Sequence, residues 1–124
     1  MARDSVLLEK SLFFAARIVK LYRRLSAEKR EAVLAKQVLR SATSIGANAN
    51  EAIYAVSKAD FIAKLHISLK ETAETEYWLR LLTLSECITE SEGSSLLEDC
   101  LEFKRILVAT INTAKSNTEE LDNR

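Results

Sequence analysis

The chain has 124 residues, with 18 Lys and Arg against 18 Asp and Glu, one His, two Gly and no Pro, and 48% of its residues are hydrophobic. That length leaves room for one domain at roughly 100–200 residues each, and the apolar fraction is too high for a disordered chain. Two Gly and no Pro leave out the turn chemistry that hairpins need, which excludes an all-β fold.

Leu7, Leu8, Phe14, Ala15, Ile18, Leu21, Tyr22 and Leu25 recur at helical spacing, which predicts helix one over about residues 5–25. Ser26 reads as the next start signal. Leu34, Val38, Ala42, Ile45, Ala49, Ala52 and Val56 step by threes and fours, so helix two is expected to end near Val56. Ser57 and Asp60 form an approximate capping box ahead of Phe61, Ile62, Leu65, Leu69, Thr72, Leu79 and Leu82 on helix three. Residues 89–95, with Gly93 and three Ser, read as the clearest loop. Leu97, Cys100, Leu101, Leu107, Val108 and Ile111 then mark helix four, which should fade near Lys115. Four amphipathic helices with short connections predict an all-α, up-down-up-down antiparallel four-helix bundle over residues 1–115. The polar tail 116–124 is expected to fray.

Zero net charge conceals an asymmetry. Residues 1–40 carry ten Lys and Arg against four Asp and Glu, and residues 41–124 carry eight against fourteen, so the two parts have net charges of +6 and −6. Arg3, Lys10, Arg17 and Arg24 recur every seven residues along helix one, with Lys20 beside them, and Lys29, Lys36 and Arg40 follow. This basic face is either a solvated helix surface or a candidate phosphate-binding surface for RNA or DNA. Phe13 falls inside the basic arc, where an exposed aromatic could stack on bases or fill a subunit interface.

Catalytic constellations are not visible. Di-iron bundles need Glu-x-x-His pairs, and the residue three before His66 is Ala63. There is no Gly-rich phosphate loop and no His-Glu-x-x-His motif. Cys87 lies too far along helix three from His66 to use it as a base. Neither an enzyme nor a cofactor or metal site is expected. Cys87 and Cys100 fit neither a disulfide framework nor zinc spacing. They either face each other across the hairpin or are two reduced core residues, and a reducing cytoplasm is the expected compartment. Glu9, Lys10, Arg17 and Lys20 interrupt the first apolar runs, so neither a secretory segment nor a membrane span is expected.

The segment 40–82, RSATSIGANANEAIYAVSKADFIAKLHISLKETAETEYWLRLL, carries polar positions that periodicity does not require. Ser44-Ile45, Asn48-x-x-Glu51, Ser57-Lys58-Ala59-Asp60-Phe61-Ile62, Lys70-Glu71 and Glu74-Thr75-Glu76-Tyr77-Trp78-Leu79 resemble the signature of the four helix bundle protein family, which includes proteins encoded in 23S ribosomal RNA intervening sequences. That family is similar to the accessory variability determinant of diversity-generating retroelements, whose members form ring-like homopentamers that bind nucleic acid and a reverse transcriptase. The resemblance implies a homo-oligomer, with a pentamer as its form. The neutral charge departs from that strongly basic relative.

Asn48 lies beside the apolar row of helix two and needs a hydrogen-bond partner, for which Glu51, Glu71 and Glu74 are candidates. Small residues on helices two and three would let the two approach closely. Ile67, Glu71, Glu74, Trp78 and Leu81 form a second face of helix three. Trp78, with Leu81, either anchors a subunit contact or packs under helix four. The leading expectation is a non-catalytic, self-assembling accessory or scaffold bundle with a candidate nucleic-acid surface on helices one and two. The alternative is a protein-protein adaptor that touches no nucleic acid.

Overall fold

The computed structural model describes the backbone of residues 2–28 and 31–122 and the side chains of residues 6–28 and 31–117. Four helices follow one another: α1 (Ala2–Glu28), α2 (Ala32–Ile53), α3 (Lys58–Leu84) and α4 (Glu90–Asp122). Each packs on its neighbour in sequence, and α4 closes the ring on α1. Pairs of touching residues give the directions. Ser41 meets Thr75 while Ile45 meets Ser68, and Arg17 meets Asp99 while Arg24 meets Glu92, so both seams are antiparallel. The up-down-up-down bundle is therefore the observed architecture.

The core is a stack of side chains at helical spacing. Phe14, Ile18, Leu21 and Leu25 of α1 pack with Val38, Ala42 and Ile45 of α2, Leu65, Leu79 and Leu82 of α3, and Phe103 and Leu107 of α4. Phe14 and Phe103 meet edge to face with ring centroids 5.2 Å apart, the arrangement that ring quadrupoles favour. Between α2 and α3 the buried residues are small hydroxyls. Ser68 Oγ donates to the Ile45 carbonyl at 2.7 Å, and Thr75 Oγ1 lies 2.9 Å from Ser41 Oγ and 2.8 Å from the Glu71 carbonyl. The expected close approach of these helices is thus present, with every seam hydroxyl satisfied.

Several boundaries differ from expectation. Ser26 does not start helix two: α1 continues through it to Glu28, and α2 begins at Ala32. Val56 lies beyond α2 in the connection and is 93% exposed, whereas Ser57 caps α3 by accepting from the Asp60 N–H at 3.0 Å. The Asp60 carboxylate accepts from the Val56 N–H instead of from the cap residue. Residues 89–95 are not a loop. The connection is residues 85–89, and Gly93, Ser94 and Ser95 lie inside α4.

The α3–α4 connection closes without glycine. Glu86 takes the left-handed conformation at φ 62°, while the Glu86 N–H bonds to the Thr83 carbonyl and the Cys87 N–H to the Leu82 carbonyl, a Schellman closure. Thr89 then caps α4 by accepting from the Glu92 N–H at 3.1 Å. With the start corrected, the core row of α4 is Leu96, Cys100, Phe103, Leu107 and Ile111, and Leu101 and Val108 point outward. The helix continues past Lys115 to Asp122.

Candidate functional site

Three of the heptad-spaced cations of α1, Lys10, Arg17 and Arg24, are paired with acids of α4. Lys10 pairs with Glu102, and Arg17 donates to Asp99 at 2.7 Å and to Ser95 Oγ at 3.0 Å. Arg24 grips both oxygens of Glu92, and that hydrogen bond pushes the guanidinium pKa further above its ordinary value. The two helices run antiparallel, so cations one heptad apart on α1 meet acids spaced three and seven residues apart on α4, and the +6 and −6 parts of the chain meet along this seam. Each pair is partly exposed and worth about 0–1 kcal/mol, which makes the ladder a specifier of which helix lies beside α1 more than a source of stability. Arg40 is also engaged, with Glu74 and, at 3.6 Å, with Glu71. Lys20 and Lys36 are exposed with no ion-pair partner among the described residues. The Arg3 side chain and all of Lys29 lie outside the described residues.

The α1–α2 surface differs in character. Residues 41–50 of α2 hold no charged side chain, although Ala47 and Asn50 face solvent. Opposite them, Leu12 is 70% exposed, whereas Phe13, 64% exposed, borders the α1–α4 seam beside Lys10, Arg17, Asp99 and Glu102. Leu8, Ser11, Leu12 and Ala15 of α1 and Thr43, Gly46, Ala47 and Asn50 of α2 line a cleft of about 310 Å³. Gly46 permits it, because a Cβ there would lie 2.8 Å from Ser11 Oγ, so the helices touch and leave a shallow, uncharged trough along their outer side.

The polar signature residues are not one group. Asn48 Nδ2 donates to the Ser44 carbonyl of its own helix at 2.8 Å and reaches none of the three glutamates. Glu51 pairs with Lys64 at 3.2 Å, and Glu71 and Glu74 share Arg40. These ion pairs tie α2 to α3. Trp78 continues the heptad spacing of Lys64 and Glu71, which places it on the α2 side of α3 and not under α4. It is half-buried against the core, edge-on to Tyr77 at 5.1 Å. Leu81 is half-buried on the outward side of α3.

Little here supports chemistry. Among the described residues no group of three His, Cys, Asp or Glu side chains could hold a metal ion, and no described helix is long and apolar enough to cross a membrane. A cleft of about 720 Å³ opens at the α3–α4 turn beside Arg24, Glu86, Cys87 and Glu92, and Arg24, the cation lining it, is already paired. Cys100 is buried, and burial, with Glu76 and Asp99 adding, pushes its thiol from an ordinary 9.0 up to about 12. Cys87 sits at the turn, with Sγ 3.4 Å from Ser85 Oγ. Both are free thiols on separate levels of the bundle and do not face each other. Iodoacetamide on the native protein is therefore expected to label Cys87, with Cys100 reacting only in denaturant; mass spectrometry of the digested adducts reads the difference, and native labelling of Cys100 would contradict its burial.

The family model for the 23S rRNA-intervening sequence protein matches residues 3–109. A crystal structure of a protein of unknown function from the S23 ribosomal protein family of Bacteroides thetaiotaomicron is similar, with 52% identity and a TM-score of 0.87, covering 89% of this chain and 98% of that one. No curated protein is significantly similar to the chain. The polar signature on α2 and α3, the four-helix architecture and a match spanning nearly the whole bundle agree: the chain belongs to the 23S rRNA-intervening sequence protein family.

Proposed function

We propose that the chain is a non-catalytic, cytoplasmic scaffold that self-associates through its α1–α2 face. One observation carries this reading: the uncharged stretch 41–50 and the exposed Leu12 border a common cleft, on a chain whose Lys10, Arg17, Arg24, Arg40 and Lys64 are paired across other seams. Interface cores are depleted of charge and enriched in aromatic residues; the cleft lining is uncharged, and the exposed Phe13 stands next to Leu12 on the side of α1 that faces α4. The family resemblance makes a five-subunit ring the expected form. Two cysteines held as free thiols agree with a reducing compartment.

Size-exclusion chromatography with light scattering tests the reading against the 13.9 kDa monomer. The unmodified chain is expected at a multiple of that mass, five subunits for the ring. Leu12→Glu with Phe13→Glu is expected to give a folded monomer, because both side chains are exposed and their replacement costs the bundle little. A monomeric unmodified chain would remove the proposal.

A nucleic-acid role within such an assembly falls to Lys20 and Lys36, since Lys10, Arg17, Arg24 and Arg40 are engaged by α3 and α4. Repetition of two lysines over several subunits would add weak phosphate contacts through effective concentration. An RNA titration at two salt concentrations measures it directly. Binding that falls with salt and is lost in Lys20→Glu with Lys36→Glu supports this role, and unchanged binding in that variant opposes it.

A further inference from the structure

We infer that the outer groove between α3 and α4 is a docking site for an acidic amphipathic helix of a partner protein. On α3, Lys70, Tyr77, Arg80 and Leu84 recur at spacings of three, four and seven and stand on its outer rim, while Leu101 and Arg105 do the same on α4. The antiparallel register set by Lys104 with Glu76 and by Gly93 against Thr83 brings Tyr77 opposite Leu101. At one end the groove opens into a cleft of about 280 Å³ that reaches from Arg80 and Leu84 to Leu97. From Lys70 to Leu84 it runs about 21 Å, the length of a helix of roughly 14 residues.

Charge decides the occupant. Ion pairs engage Lys10, Arg17 and Arg24 against α4, Arg40 and Lys64 between α2 and α3, and Lys104 with Glu76 between α3 and α4. Along this groove Lys70, Arg80 and Arg105 are exposed with no partner among the described residues. They flank apolar side chains left open to solvent, Leu84 at 81% and Tyr77 at 61%. An apolar stripe bordered by unmatched cations complements a helix whose apolar face is flanked by carboxylates. A polyphosphate chain fits less well, because the cations are few and Leu84 and Leu101 offer it nothing; Glu90 at the Leu84 end places the docked helix's carboxylates toward Lys70, Arg80 and Arg105. In the four-helix ring this groove lies across the bundle from the α1–α2 face, so it is independent of self-association there.

Fluorescence anisotropy with the full chain tests the inference using three probes: a labelled helical peptide with Leu at i, i+3, i+4 and i+7 and Glu elsewhere, the same Leu pattern with Lys for Glu, and a single-stranded RNA oligomer. The Glu peptide is expected to bind and the Lys peptide not to. Arg80→Glu with Arg105→Glu is expected to weaken the Glu peptide by at least about tenfold, while circular dichroism shows an unchanged helical fold. Tyr77→Ala should weaken it without changing its salt dependence. Failure of the Glu peptide to bind, equal binding of both peptides, or indifference to the charge reversal would overturn the inference. RNA binding that the same reversal abolishes, without peptide binding, would make the groove a nucleic-acid surface and overturn it equally.

Discussion

Phe103→Ala is expected to destabilise the bundle by about 3–5 kcal/mol, a large fraction of the roughly 5–15 kcal/mol typical of a single domain. Phe103 is 1% exposed, sits midway along α4 and meets Phe14 edge to face at 5.2 Å. Truncation removes the transfer free energy of the ring and leaves a cavity among Leu, Ile and Val side chains that are themselves fully packed. Urea unfolding followed by circular dichroism gives the measurement: the midpoint should fall with little change in slope. Phe103→Leu, which keeps much of the volume, should cost markedly less and guards against an alanine variant too unstable to measure. A cycle with Phe14→Leu should show a coupling of about 0.5–1.5 kcal/mol beyond area burial. A loss below about 1 kcal/mol for Phe103→Ala would mean that the two rings do not form the centre of the core.

Phe103 also shows where periodicity reaches and where it stops. On α1 to α3 the apolar row predicts most of the buried residues, because the helical period fixes the inward face even where the start signal is misread, as at Ser26. On α4 Cys100, Leu107 and Ile111 are buried as the period predicts, whereas Leu101 and Val108 point outward and Leu96 and Phe103 complete the buried row. A Gly and Ser cluster drew the loop to residues 89–95. The true turn places Glu86, a residue with no special tolerance for positive φ, at the left-handed position. The signal that could have corrected it was present, since Thr89 to Glu92 has the spacing of a capping box and Thr89 does cap the helix.

The surface was legible in charge and illegible in pairing. Heptad spacing of Lys10, Arg17 and Arg24 establishes that they share a face, but nothing local establishes what that face meets. Their partners lie 68 to 92 residues away in the chain, and closing the ring on α4 is what turns a candidate phosphate stripe into an internal ladder. Asn48 fails in the opposite sense. A half-buried amide was expected to reach across a seam, whereas its own helix offers the Ser44 carbonyl one turn back at no cost in chain entropy.

Gly93→Ala carries the second large expected effect, and its sign separates a loop glycine from a packing glycine. By helix propensity alone, alanine in the interior of α4 would add about 1 kcal/mol of stability. Here a Cβ would overlap Thr83 Oγ1 and sit 3.4 Å from both Thr83 carbons. Thr83 has little room to give, because its Oγ1 donates to the Leu79 carbonyl at 2.8 Å and a β-branched side chain has few rotamers in a helix. Overpacking of this kind costs about 1–3 kcal/mol, so net destabilisation is expected in urea unfolding. Thr83→Ala should relieve it, since that change empties the volume the new Cβ needs and leaves the Leu79 carbonyl in its helical bond. The cycle should then show a favourable coupling within the roughly 0.5–3 kcal/mol of contacting residues. A Gly93→Ala variant more stable than the parent, with no coupling to Thr83, would return residue 93 to an open turn. Coupling instead identifies the glycine as the point where α4 is drawn tight against α3, which sets the depth of the groove between Arg80 and Leu97.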